Sequence, residues 1–396
     1  MTCVKLRLLP RLIPFLLIVA FVVAGCKRSA TAPPPSAPPN AAPGLPQLAQ
    51  VQGGTTPGPQ TKYFKGSIGS SLDLQMKLVR ADPQLTGSYF YQRVGTRINL
   101  RGTIDPDGKF VLEEFDPEGK QTGVFKGMWT VDAQDGTAQL AGFWSKPNQK
   151  QGEKSAAFSV HEEPISLSGD AEIVAKSIKE NNKQLMYDID VQYPQITGGA
   201  NPNFEKFNQL VRALVTKKVA EFKKDVQPKE GDEPRPEGSM GSDIGIGYEV
   251  AMARDDLISV EFDVGSYYQG AAHPNTYTET VNYDLKNGKQ INLSDLFKPG
   301  SKYLPTLAQY CIADLKKQSK TKDNMLPDDE IQSGAGPAAA KNYRSWKITR
   351  KGLGINFDSY QVGPYAAGPQ YVLVPYANLK DLINPEGPIA LLAAGL

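Results

Sequence analysis

Residues 61–165 contain short stretches in which apolar and polar side chains alternate, the pattern of a strand with one buried face. The pairs Asp107-Gly108 and Asp135-Gly136 stand at joints between these stretches, and Asp-Gly favours tight hairpin turns. We therefore expect an all-β domain, built as a small antiparallel meander or barrel. Its predicted strands cover residues 71–79, 85–93, 97–104, 109–115, 122–131 and 138–145.

Aromatic side chains are frequent in this region and allow two interpretations. They either form the core of the small β-domain, which is the commoner role, or line a ligand cavity. The residues concerned are Tyr89, Phe90, Tyr91, Trp129, Phe143 and Trp144.

Residues 166–396 combine strand and helix periodicities. Residues 184–193 alternate like a strand, which we expect Pro194 to end, whereas residues 204–222 repeat apolar side chains at helical spacing. A second helix is predicted over residues 301–318. Further strands are predicted at residues 244–253, 257–268, 277–285, 290–292, 346–349, 354–357 and 371–375. The pattern predicts an α+β domain with two main helices packed on an antiparallel sheet.

The N-terminus has the pattern of a bacterial lipoprotein signal. A basic start precedes an apolar run over residues 12–23, which is short for a membrane-spanning helix and suits a signal peptide. Val23-Ala24-Gly25-Cys26 follows directly and resembles a lipobox, whose cysteine receives lipid. We predict cleavage of residues 1–25 and lipidation of Cys26. The alternatives are an ordinary signal peptide or an anchor helix with an incidental cysteine.

Residues 26–60 form the predicted lipidated cysteine and a tether. The stretch is dominated by Pro, Ala, Gly, Gln and Thr and lacks apolar periodicity, so it has too little apolar surface to bury a core. Proline-rich chain is extended, and such a spacer would hold the folded part away from a membrane. The domain plan is thus residues 1–25, 26–60, 61–165 and 166–396.

Composition limits the chemistry that this chain can perform. The formal net charge of the 396 residues is +2, which argues against a nucleic-acid-binding protein. Three cysteines and two histidines leave little material for metal sites, so we predict no metal and no cofactor. With Cys26 lipidated and Cys3 removed, Cys311 would be the remaining thiol, and its apolar helical setting predicts a buried core residue.

Several blocks in the C-terminal half resemble the RsiV/PdaC-like extracellular domains. They are Tyr193-Pro194, residues 267–277, Asn282-Tyr283-Asp284-Leu285, residues 293–297, residues 357–369 and Val374-Pro375-Tyr376. The resemblance covers roughly residues 184–383. In that family, the domain is the lysozyme-binding part of an anti-sigma factor, or a non-catalytic module ahead of a peptidoglycan deacetylase domain. This chain lacks the deacetylase metal motif and a cytoplasmic sigma-binding part, so neither deacetylation nor sigma release is implied.

His273 is a histidine within these family blocks. As a general base it would need a nucleophile and an orienting acid nearby. The structural alternative is that Pro274 fixes the backbone and the imidazole closes the loop through a hydrogen bond, and we favour this alternative.

Two loops, residues 267–277 and 360–368, form the predicted binding surface. Both combine Tyr with Gly and Pro, and Tyr provides a large contact area at low entropic cost. Packing at the sheet edge is an equally simple role for the same residues. The predicted binding residues are Tyr267, Tyr268, Gly270, His273, Pro274, Asn275, Tyr277, Tyr360, Tyr365 and Gly368.

The sequence therefore predicts a lipid-anchored, non-catalytic envelope protein that binds a lysozyme-like protein or peptidoglycan. Because Lys27 follows Cys26, we expect the outer membrane, facing the periplasm, in a source with two membranes, and otherwise the outer face of the plasma membrane. The alternatives are an envelope hydrolase that uses His273 and a structural lipoprotein without a specific ligand. Oligomeric state is not predicted.

Overall fold

A computed structural model of the chain describes residues 59–92, 96–133, 136–148, 155–228, 241–321, 326–337 and 340–395. The chain divides into two units, Met1–Thr55 and Thr56–Leu396, and every described residue belongs to the second. The predicted signal segment and Cys26 lie outside the described residues, as does all but the end of the predicted tether. Among the described residues, no helix has both the length and the apolar character needed to cross a bilayer.

The first eight strands close into an antiparallel barrel, in which the last strand pairs with the first. Side chains of alternate positions point inwards and fill the interior with residues such as Phe64, Leu78, Leu112 and Phe125. The all-β prediction is confirmed, and the barrel is the form it takes. The strands are β1 (Gln60–Ile68), β2 (Leu72–Ala81), β3 (Gln84–Tyr91), β4 (Ile98–Ile104), β5 (Lys109–Phe115), β6 (Gln121–Val131), β7 (Ala138–Ser145) and β8 (Ala156–Glu163).

A large mixed sheet follows the barrel, with strand order β10-β11-β12-β13-β14-β15 and β9 paired to β12. The elements are β9 (Ile165–Ser166), β10 (Glu172–Asn182), β11 (Tyr187–Thr197), helix α1 (Asn203–Asp225), β12 (Ser242–Arg254), β13 (Leu257–Tyr267), β14 (Asn275–Asp284) and β15 (Lys289–Gln290). The apolar stripe of α1, including Phe207, Val211, Val215 and Phe222, packs on one face of this sheet.

The sheet is mixed rather than purely antiparallel because β11 and β12 run parallel. Parallel neighbours need a crossover connection, and α1 lies in the segment that connects them. Pro194 does not end β11, contrary to the sequence prediction. The pairing of β11 with β12 stops at Val191, so the strand beyond it has one free edge, where proline is tolerated.

The other face of the mixed sheet is partly covered by a second layer with its own core. It contains a 3-10 helix (Leu293–Leu296), α2 (Tyr303–Thr321), α3 (Asp328–Ala335), a three-stranded sheet of β16 (Trp346–Ile348), β17 (Gly352–Phe357) and β18 (Gln370–Pro375), and α4 (Ala390–Ala393). Thus α2 packs on β18 of the three-stranded sheet. The predicted α+β class is confirmed. Cys311 of α2 is fully buried as predicted, and burial raises the pKa of its thiol to about 12.

The barrel contacts the mixed sheet through polar groups on β1 and β2 and through Arg97, just before β4, which forms an ion pair with Glu172. Tyr63 Oη donates to the carbonyl oxygen of Ala171 at 3.0 Å, and Lys65 Nζ donates to that of Tyr248 at 2.8 Å. Lys77 forms an ion pair with Glu172 at 3.2 Å. These contacts hold the barrel against the sheet on the β1 side.

Candidate binding surface

The fold brings the two predicted binding loops together. The first loop connects β13 to β14, and the second follows β17. The buried carboxylate of Asp358 joins them, because its Oδ1 accepts a hydrogen bond from the backbone N–H of Thr278 at 2.9 Å. Arg344 forms an ion pair with the same carboxylate at 2.5 Å. The second loop is therefore fixed directly to the start of β14.

Three rings, those of His273, Tyr360 and Tyr365, form what we call the aromatic surface. The imidazole of His273 stacks on Tyr365, with ring centroids 4.0 Å apart and planes inclined by 26°. The ring of Tyr360 lies beside both, at centroid distances of 6.3 Å from His273 and 5.4 Å from Tyr365. The surface therefore presents neighbouring rings that belong to different loops.

Hydrogen bonds hold these rings in place. The carbonyl oxygen of Pro274 accepts a hydrogen bond from Tyr365 Oη at 3.0 Å and lies 2.9 Å from His273 Nδ1. His273 Nε2 lies 3.4 Å from Tyr360 Oη. A proton on Nδ1 satisfies the carbonyl and leaves Nε2 as an acceptor for the tyrosine hydroxyl. Both ring nitrogens thus have partners, the backbone carbonyl of Pro274 and the hydroxyl of Tyr360.

Tyr360 occupies an unusual backbone conformation. Its φ of 69° lies in the left-handed region that bulky residues rarely adopt, and the residue is 64% exposed. Gly270 and Gly368 also have positive φ values, of 87° and 68°, which glycine adopts without strain. A strained backbone that exposes an aromatic ring is typical of a functional position.

The remaining predicted tyrosines do not join this surface. Tyr268 packs against Phe222 of α1, with ring centroids 5.6 Å apart, and burial raises the pKa of its phenol. Tyr277 also faces α1, where Lys218 Nζ lies 4.9 Å from its ring centroid. Tyr267 and Asn275 lie at the adjoining ends of β13 and β14. The prediction thus combined residues from both faces of the sheet.

Sequence reasoning missed an exposed acidic face on the side of the mixed sheet opposite α1. Asp188 of β11 and Asp243 of β12 are register partners, and Asp263 of β13 lies opposite Gly247. We call these three carboxylates the acidic face. No ion pair involves them within the part of the chain that the structure describes. Burial, followed by the neighbouring charge of Asp188, raises the pKa of Asp243.

The signal for this face was present in the alternation of the strands. Asp188 and Asp190 flank the inward Ile189, and Gly245 and Gly247 flank the inward Ile246. The inward residues were recognised as core, but the outward ones were not recognised as a surface. A cleft of about 720 Å³ adjoins this edge and is lined by residues that include Asn181, Lys183, Asp188 and Asp243.

Within the described ranges, no group of three or more His, Cys, Asp or Glu side chains is placed to hold a metal ion. No carboxylate contacts His273 there either, so its partners are a carbonyl oxygen and a phenol. The arrangement can bind a ligand by ring contact and hydrogen bonding.

Comparison with known proteins identifies similar domains in this half of the chain. Residues 178–276 match the family model described as deacetylase PdaC, and residues 294–377 match the protein of unknown function DUF3298. The first match contains His273 and the second contains Tyr360 and Tyr365. The aromatic surface therefore forms where the two matched regions meet.

Curated relatives match over shorter stretches. The peptidoglycan-N-acetylmuramic acid deacetylase PdaC of Bacillus subtilis is 24% identical over 182 residues, which is 46% of this chain and 37% of the relative. The immunogenic protein MPT64 of Mycobacterium tuberculosis is 26% identical over 114 residues, 29% of this chain and 47% of the relative. The chain thus spans between about a third and a half of the length of these relatives.

Two solved structures of DUF3298 proteins are also similar. One, from Bacteroides fragilis, is 17% identical with a TM-score of 0.39, covering 58% of this chain and 99% of that one. The other, from Pseudomonas aeruginosa, is 18% identical with a TM-score of 0.39, covering 54% and 94%. From the two family matches and the PdaC relative, residues 178–377 of this chain contain a PdaC- and DUF3298-like domain.

Proposed function

We propose that this chain is a non-catalytic cell-envelope protein that binds peptidoglycan through the aromatic surface. The observation that carries the proposal is the stack of the exposed His273 on the half-buried Tyr365, with the exposed Tyr360 beside it. Ring faces offer broad apolar contact to the flat faces of sugars, and the phenol and imidazole groups add hydrogen bonds at the ring edges. Little side-chain entropy is lost on binding because these rings are already held in place.

Similarity supports the envelope setting and the class of ligand. The relative from Bacillus subtilis is named as a deacetylase of peptidoglycan N-acetylmuramic acid, and its match covers 182 residues of this chain. A module that accompanies such chemistry would contact the same polymer. We therefore propose that this chain contacts the glycan, and we do not propose that it catalyses the reaction of the relative.

The contacts of His273 favour binding over hydrolysis. A histidine that acts as a general base is usually oriented by a carboxylate and faces a nucleophile or a water molecule. Here Nδ1 faces the carbonyl oxygen of Pro274 and Nε2 faces the hydroxyl of Tyr360. The alternative, an envelope hydrolase that uses His273, predicts turnover that His273→Ala abolishes.

Membrane attachment is part of the proposal and rests on the sequence alone. Cys26 in its lipobox context would carry the lipid, and the tether would separate the folded unit from the bilayer. The corresponding test is metabolic labelling with palmitate. Label on the wild-type chain and none on Cys26→Ser is expected, and label that survives the substitution contradicts the anchor.

The proposed function is tested by sedimentation with purified peptidoglycan sacculi. We expect the fragment of residues 56–396 to sediment with sacculi, and Tyr365→Ala combined with Tyr360→Ala to remain in solution. His161→Ala, which changes an exposed histidine on the barrel, is the matched control and should sediment like the wild type. A wild-type fragment that stays in solution at every concentration would support a structural lipoprotein without a specific ligand.

A second candidate is binding of a lysozyme-like protein, and the acidic face is the observation that favours it. Three exposed carboxylates without ion pairs among the described residues would attract a partner with a basic surface. This candidate predicts that the fragment captures lysozyme and that capture falls with added salt. Capture should be lost in the triple variant Asp188→Asn, Asp243→Asn, Asp263→Asn. The double tyrosine variant would then bind lysozyme normally, which separates the two candidates.

A further inference from the structure

The outside of the barrel carries exposed apolar side chains on three neighbouring strands. Phe143 on β7 is 58% exposed, Val111 on β5 is 40% exposed and Met128 on β6 is 38% exposed. Large apolar side chains usually avoid water, and several in one patch mark an interaction site more often than scattered ones do. With Lys126, these residues form what we call the barrel patch.

Strand register assembles the patch. Val111 of β5 lies opposite Lys126 of β6, and Lys126 lies opposite Phe143 of β7. Met128 follows on the same outward face of β6, because side chains two apart share a face. Three strands thus contribute to one continuous surface.

The patch lies on the free side of the barrel. Contacts with the mixed sheet come from β1, from its neighbours β2 and β8, and from Arg97 just before β4, for example through Lys65, Lys77 and the ion pair of Arg97 with Glu172. In a closed barrel of eight strands, β5 stands opposite β1. The barrel patch therefore faces away from the rest of the described unit and is open to an external surface.

Charge indicates what the patch contacts. Lys126 stands between Val111 and Phe143, and Lys109 lies opposite Met128. Both lysines are exposed, and the described residues supply neither of them with an ion-pair partner. The nearby acidic side chain of Glu113 has Arg101 as its cross-strand neighbour. Apolar side chains with unpaired lysines among them match the interface of an anionic lipid bilayer, where phosphates meet acyl chains.

We propose that the barrel patch rests on the surface of an anionic phospholipid bilayer, with Phe143 inserted at the level of the headgroups. This inference rests on the proposed envelope location but not on peptidoglycan binding. A second copy of the chain fits less well, because a symmetric contact at the patch would bring two Lys126 side chains together. Lipid phosphates instead neutralise Lys126 and Lys109. The contact would orient the barrel while the aromatic surface stays available.

The test measures binding of residues 56–396, the compact unit without the predicted lipid anchor, to vesicles. We expect the fragment to sediment with phosphatidylglycerol-containing vesicles and not with pure phosphatidylcholine. Lys126→Glu should lower the vesicle affinity at least about fivefold, the effect of one lysine near an anionic surface. Phe143→Ser should lower it as well.

Leu72→Ser is the matched control, since Leu72 is 49% exposed on β2, outside the patch. It should leave vesicle binding unchanged, and circular dichroism melts of all variants check that the barrel stays folded. The proposal is overturned if the wild type does not bind anionic vesicles or if Phe143→Ser binds them as tightly as the wild type. It is also overturned if sedimentation velocity shows a dimer that Phe143→Ser dissociates. Binding to sacculi should be unchanged in Phe143→Ser, so failure here leaves the proposed function standing.

Discussion

His273 stacks on Tyr365 while the hydroxyl of Tyr365 donates to the carbonyl oxygen of Pro274, the residue next to that histidine. One tyrosine therefore contacts the neighbouring loop in two ways, by its ring face and by its polar end. The first contact creates a partly exposed aromatic platform, and the second fixes its position. The two contacts can be removed separately.

Tyr365→Phe should keep ligand binding close to that of the wild type, because the ring stack is retained. It should cost about 1 kcal/mol of unfolding free energy, because one partly exposed hydrogen bond is lost. Tyr365→Ala should lower affinity for peptidoglycan fragments about tenfold, since a buried aromatic contact contributes on the order of 1 kcal/mol or more. Titration calorimetry of both variants checks this, and an equal loss of affinity in both would show that the hydroxyl is the recognition group.

Tyr360→Gly should lower ligand affinity without lowering the stability of the fold. A residue with a side chain at φ of 69° stores roughly 1 kcal/mol of strain, which glycine removes. We therefore expect the melting temperature to stay the same or rise, while affinity for the glycan falls because an exposed ring is lost. A drop in melting temperature of several degrees would show instead that the Tyr360 ring stabilises the fold.

Glu163 lies at the contact between barrel and sheet and should make the free energy of unfolding depend on pH. The residue is 7% exposed, and its carboxylate accepts a hydrogen bond of 3.5 Å from Gln75. Burial, with a smaller contribution from Glu249, raises its pKa to about 7 despite the opposing effects of Lys65 and Gln75. Because the folded state favours the protonated form, its contribution to stability is full below pH 4.5 and is lost as pH rises through 7.

Glu163→Gln should therefore flatten the pH profile of stability. The difference in unfolding free energy between variant and wild type should change by up to about 3 kcal/mol from pH 4.5 to pH 8, to the advantage of the variant at pH 8. Urea unfolding across this range measures it. Glu113→Gln, an exposed barrel carboxylate, is the control and should follow the wild type. A wild-type profile parallel to that of Glu163→Gln would contradict a raised pKa.

Glu114 and Glu113 are neighbours that point to opposite sides of the barrel wall. The buried carboxylate of Glu114 accepts hydrogen bonds from Tyr89 Oη at 2.8 Å, Thr122 Oγ1 at 2.6 Å and Trp144 Nε1 at 2.7 Å. Burial and the charge of Glu114 raise the pKa of Tyr89, which keeps its hydroxyl as a donor. Three donors thus depend on one carboxylate.

Glu114→Ala should destabilise the protein by about 2–4 kcal/mol, because these donors are left without an acceptor in the barrel interior. Glu113→Ala should change stability by less than about 0.5 kcal/mol. Denaturant unfolding of the pair provides a comparison of adjacent residues with the same chemistry. Equal losses of unfolding free energy in the two variants would mean that water enters the barrel and replaces the Glu114 carboxylate as hydrogen-bond acceptor.

Several features of the fold followed from the sequence for physical reasons. Alternation and Asp-Gly turns such as Asp107-Gly108 are local signals, and they located six of the eight barrel strands but not β1 and β8, whose pairing closes the barrel. The stripe from Phe207 to Phe222 likewise defined α1. The aromatic residues Tyr89 and Trp129 proved to belong to the core, which was the favoured interpretation.

Other features depend on contacts that local patterns do not encode. Strand β10 carries exposed charged residues such as Lys176 and Lys179 and was missed, because an edge strand needs little apolar alternation. The stack of His273 on Tyr365 requires two distant segments to meet, so the sequence indicated both loops but not their contact. Tyr268 and Tyr277 were grouped with His273 by position, whereas the pleat directs them to α1.

The most direct test of the account is calorimetric titration of residues 56–396 with soluble peptidoglycan fragments, followed by mass analysis of the recovered fragments. The account predicts saturable binding that His273→Ala weakens and His161→Ala leaves intact, with fragments recovered at unchanged mass. Fragments that are cleaved or deacetylated by the wild type, and left intact by His273→Ala, would contradict it.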